Sequence, residues 1–79
     1  MNYNYMALFL SIVFGWSPEQ SFGFIDADVK CDKGELMKMV YQRNKGMSWY
    51  AIEQNYSPEE FHSLRHSLYY LRRNNIISF

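Results

Sequence analysis

Residues 46–73, GMSWYAIEQNYSPEEFHSLRHSLYYLRR, decide how this chain folds. The stretch reads as a short helix, a tight turn and a long helix. Ser48 stands where a hydroxyl caps the first helix; Ser57 does the same for the second, with Pro58 at its first position. Beyond that start, Phe61, Leu64, Leu68 and Leu71 recur at helical spacing, the stripe of a helix with one buried face. The opposite side carries Glu59, His62, Arg65, His66, Tyr69, Arg72 and Arg73. Asn74 and Asn75 can end this helix. Residues 76–79 (IISF) then make either a short terminal strand or a tail tucked into the core.

Upstream, residues 32–35 (DKGE) have the acid-x-x-Glu form of a capping box, with Leu36, Met39 and Val40 following on one face. They predict a helix over 33–44, closed by Lys45 and Gly46. In the short helix after Ser48, Ala51 and Ile52 point inward. Residues 17–20 (SPEQ) repeat the cap-and-proline start of 57–60, and Gly23 is expected to end any short turn there. Phe22, Phe24 and Ile25 would then form a small apolar patch, or 24–29 a strand. Residues 4–14 are ambiguous. Tyr5, Leu8, Phe9, Ile12 and Val13 share one helical face and Gly15 suits a left-handed stop, yet a short apolar run also fits a buried strand. Helix is preferred, and in either form the segment is assigned to the core.

Seventy-nine residues make one domain, 1–79. With 48% hydrophobic and 19% aromatic residues, the chain has the material for a core and lacks the signature of disorder. Formal net charge is zero, which counts against a function that consists mainly of holding phosphates. The charge is uneven, however. Residues 1–35 carry two lysines against five acids; residues 36–79 carry six basic residues against three acids. One cysteine, Cys31, excludes an internal disulfide and a cysteine-based zinc site, and fits a reducing, cytoplasmic home. Residues 6–14 are too few for a membrane span and lack the basic start and cleavage pattern of a signal peptide.

The corner within 46–74 can be set against a known pattern. Ala51 is the small residue where two helices nearly touch. Four positions on, Asn55 can accept a left-handed φ, with apolar Tyr56 at once behind it, and Phe61 and Leu64 close the corner. On these positions the segment resembles a helix-turn-helix, and the long second helix followed by NNII is similar to the entry of a winged-helix strand. Gln54 departs from the pattern, which prefers an apolar side chain there. The resemblance implies that the last helix lies in the major groove of DNA. The candidate contacts are Lys45, Ser48, His62, Ser63, Arg65, His66, Tyr69, Arg72 and Arg73. Glu59 and Glu60 weigh against this, because they would face phosphates.

No other constellation competes. His62 and His66, four apart, lack a third ligand at metal-binding spacing; Asp26 and Asp28 lack the rest of a calcium loop. No catalytic motif, metal site or cofactor is expected. The fold expected is therefore mostly α: a small helical domain ending in a helix-turn-helix, with at most a minimal β element. Two functions fit. The first is a small sequence-specific DNA-binding regulator of bacterial, phage or plasmid type, a homodimer through its apolar N-terminal segment. The alternative is a protein-binding modulator or phage-type inhibitor that turns the same fold toward a host protein complex.

Overall fold

A computed structural model describes residues 3–79. It contains five helices: α1 (Tyr3–Phe14), α2 (Pro18–Asp26), α3 (Lys33–Asn44), α4 (Trp49–Glu53) and α5 (Pro58–Arg73). α1 packs against α2, while α3 packs against both α4 and α5. Leu10, Trp16, Phe24, Leu36, Met39, Val40, Ile52, Phe61, Leu64, Leu68, Leu71 and Ile77 join in one buried cluster to which every helix contributes. None of the described helices is long and apolar enough to cross a membrane.

Local chemistry sets the helix starts. Ser17 and Ser57 each form a complete capping box: the hydroxyl accepts from the amide three residues on, and the Gln20 or Glu60 side chain returns the bond. Asp32 makes only half of one. Its carboxylate accepts from the Glu35 amide at 3.2 Å, but Glu35 turns away to accept a hydrogen bond from the Tyr56 hydroxyl at 2.9 Å. A contact across the fold has taken the side chain that local spacing assigned to the cap.

The end of α5 explains why no strand follows it. Asn75 takes a left-handed φ of 57°. The Ile76 amide then bonds back to the Leu71 carbonyl and the Asn75 amide to the Arg72 carbonyl, a Schellman closure. Residues 76–79 run on as a tail, with Ile77 buried and the Ser78 carbonyl accepting from the Trp16 indole at 3.0 Å. There is no strand among the described residues, so the minimal β element, the strand over 24–29 and the strand alternative for 4–14 all give way to helix or tail.

Gly23 does not end a turn; it lies inside α2, which runs on to Asp26. A methyl group there would stand 3.2 Å from Ile76 Cγ2, so the glycine lets the C-terminal tail cross the helix closely. The turn between α4 and α5 also differs from expectation. Asn55 is not left-handed, since Asn75 is the only described non-glycine residue with positive φ. Instead the Asn55 and Tyr56 amides bond three residues back, to Ile52 and Glu53, and this tight winding reverses the chain without a left-handed residue.

α1 requires the largest correction. The stripe assigned to the core faces outward: Tyr5, Leu8, Phe9, Ile12 and Val13 are 68, 55, 47, 73 and 39% exposed. Ala7 and Leu10 are buried instead, and Ser11 meets Ser21 of α2 at 3.2 Å between hydroxyl oxygens. Both faces of α1 are apolar, so periodicity could not rank them. Small side chains on the Ala7–Ser11 side let the two helices approach closely.

Candidate nucleic-acid interface

Residues four and seven apart lie on one side of a helix. Arg65, Tyr69 and Arg72 therefore share one edge of the apolar stripe of α5. The tertiary structure adds three residues to that edge: Trp49 from the start of α4, Arg43 from the last turn of α3, and Phe79 from the tail. Trp49 and Tyr69 are 5.9 Å apart between ring centroids, and Phe79 meets both rings edge-on at 6.4 and 5.7 Å. Three guanidiniums rest on this aromatic group. Arg43 and Arg65 lie 4.8 and 5.1 Å from the Trp49 ring centre, and Arg72 lies 5.7 Å from Tyr69 and 5.0 Å from Phe79.

Ring faces attract cations without neutralising them, so they hold each arginine in place while its charge stays available. Arg43 is tied further, donating to the Met47 carbonyl at 2.7 Å, while its Nε is buried without a partner. No ion pair joins Arg65, Arg72 or Arg73 to a carboxylate among the described residues. The result is an ordered strip of like charge.

The acids collect elsewhere. Asp32, Glu35, Glu59 and Glu60, with Lys30, line an open cleft of about 350 Å³ beside Cys31 and Ser63. Glu60 is also committed to its cap, accepting from the Ser57 amide and hydroxyl at 3.3 and 2.9 Å. The two carboxylates that the sequence sets at the tip of α5 thus belong to a cleft, and the arginines to another edge. Burial first, then the hydrogen bond to Glu35 and its charge, then the charge of Glu60, push the Tyr56 phenol from 10.0 up to about 12. A pKa raised on folding stabilises the fold in full below the unfolded value of 10.0 and loses that contribution as pH climbs through about 12. Urea unfolding should show stability falling across that window, and Tyr56→Phe should remove the part of the fall that Tyr56 causes.

The residues marked from sequence divide into groups. Arg65, Tyr69 and Arg72 lie on the strip. His62, His66 and Arg73 are exposed on the outer side of α5, the two imidazoles stacked with centroids 6.4 Å apart. Lys45 follows the end of α3, its ammonium 5.2 Å from the Tyr41 ring centre. Two serines are engaged elsewhere. The Ser48 hydroxyl caps α4 through the Ala51 amide, and the Ser63 hydroxyl lies 3.2 Å from Cys31 Sγ, on the cleft side. Arg43, Trp49 and Phe79 escaped the sequence reading. The spacing of Arg65, Tyr69 and Arg72 was the one signal pointing toward them. No three His, Cys, Asp or Glu residues among those described are grouped to hold a metal.

The chain matches no protein-family model, and neither the curated proteins nor the solved structures contain a significant match to it.

Proposed function

We propose that the protein is a small DNA-binding regulator that uses α5 for recognition, with α4, the turn and α5 serving as a helix-turn-helix. In this reading Arg43, Arg65 and Arg72 hold phosphates from the aromatic strip, and Arg73 on the outer side of α5 and Lys45 over Tyr41 add charge outside it. His62 and His66, on the outer side of α5, reach base edges. The observation that carries the reading is the strip itself. Three arginines are fixed on Trp49, Tyr69 and Phe79, and Asp32, Glu35, Glu59 and Glu60, four of the eight acids, line a separate cleft. A neutral chain can in this way present a positive edge.

Mobility shift with a mixed-sequence duplex, at about 50 and about 200 mM salt, tests the proposal. Binding at micromolar protein in the lower salt and a steep loss in the higher salt are expected. Absence of any shift in low salt would reject it. The second reading, a protein-binding modulator, is favoured by the cleft with its four carboxylates, which suits a basic segment of a partner. Capture of one host complex by the wild-type chain, lost on Glu59→Gln with Glu60→Gln and unaffected by Arg65→Ala, would support that alternative.

A further inference from the structure

We infer that the outward face of α1, with the groove beside it, is an interface between two copies of this chain. The inference does not rest on DNA binding. α1 has no charged residue in its twelve positions, and it is apolar on both sides. One side is covered by α2. The other exposes Tyr5, Leu8, Phe9, Ile12 and Val13, and Tyr41 of α3, 45% exposed, extends the same surface. A helix apolar all round belongs in an interior, and only half of this one is inside.

The area matches what a dimer needs. A large side chain presents about 150–250 Å² when bare, so these six, at their exposures, offer on the order of 600 Å². That is at the top of what a monomer normally shows in one patch, about 300–600 Å². Doubled by a two-fold axis it reaches about 1,200 Å², the lower edge of specific protein interfaces. The relief is also self-complementary. Leu8 and Ile12, four apart, form a ridge, and next to it Phe9, Val13, Phe14, Met37 and Tyr41, together with Lys38, line a groove of about 430 Å³ between α1 and α3. Ridge and groove wall belong to one helix, so each copy can seat its ridge in the groove of the other about a single axis. A lipid surface fits less well. Helices that lie on membranes carry Lys or Arg along their own polar side, and α1 has none. The cations near this surface, Lys38 and Lys45, both come from the α3 side.

Sedimentation equilibrium of the full chain, from about 1 to about 200 μM, is the test, since an interface of this size supports roughly micromolar association. A monomer–dimer equilibrium within that range is expected. Ile12→Glu should weaken it at least tenfold with helical circular dichroism unchanged. Tyr41→Lys, on the other wall of the groove and exposed, should do the same and guards against misfolding of α1. A wild-type chain that stays monomeric throughout, or a dimer indifferent to both substitutions, would overturn the inference. Monomeric protein that sediments with phosphatidylcholine–phosphatidylserine vesicles would overturn it too, assigning the face to lipid.

Discussion

Replacing Arg65 and Arg72 together with alanine is expected to weaken binding to a mixed-sequence duplex by about ten- to a hundredfold near 100 mM salt, with the slope of log K against log salt shallower by about two. Each phosphate contact releases close to one counterion, so the slope counts contacts where affinity alone does not. Both side chains are exposed, and their loss forfeits only about 0.5–1 kcal/mol of cation–π attraction each, so the fold should persist. Exchange of both for lysine separates charge from geometry. The slope should stay near wild type while affinity drops, because lysine keeps the charge but loses the planar stacking on Trp49 and Phe79. An unchanged slope in the alanine double variant, measured by fluorescence anisotropy across a salt series, would remove the strip from the interface.

The largest effect on stability is expected at Trp16. This side chain is 4% exposed, lies between Phe14 and Phe24 at 4.8 and 5.4 Å, and donates its indole N–H to the Ser78 carbonyl. It therefore joins the α1–α2 pair to the tail that follows α5. Trp16→Ala should cost about 3–5 kcal/mol, where a domain of this length has roughly 4–12 kcal/mol in total. At about 4–8 °C per kcal/mol the thermal midpoint should fall by roughly 12–40 °C, or the transition should lose its cooperativity. Trp16→Phe keeps a ring and loses the hydrogen bond, and should cost much less. A midpoint within a few degrees of wild type for Trp16→Ala, followed by circular dichroism, would show that the tail is held by other contacts.

The candidate site was half legible before folding. Arg65, Tyr69 and Arg72 stood out because helical spacing is enough to group them. Trp49 and Arg43 did not, because their meeting with Arg65 depends on how α3 and α4 pack against α5. Sequence places Glu59 and Glu60 at a helix tip, and only the fold shows that this tip also borders Asp32 and Glu35. Ser63 is exposed, as its place on α5 predicts, and only the fold shows that its hydroxyl stands beside Cys31.

By itself the sequence determined the helix starts at Pro18, Lys33, Trp49 and Pro58. It left residues 4–14 open between helix and strand, and it ended the second helix too early, at Gly23. The long helix at 58–73 and the one at 33–44 follow from caps, a proline and apolar spacing, all interactions within four residues. Tertiary structure decided what depends on distant partners. Gly23 lies inside a helix because Ile76 crosses it, Glu35 leaves its cap for Tyr56, and α1 turns inward its small-residue side because α2 fits there. Residues 76–79 become a tail because Trp16 offers their backbone a donor and no strand lies beside them. Local bonds are written in neighbouring letters. The choice of which apolar face is buried is settled only when the helices meet.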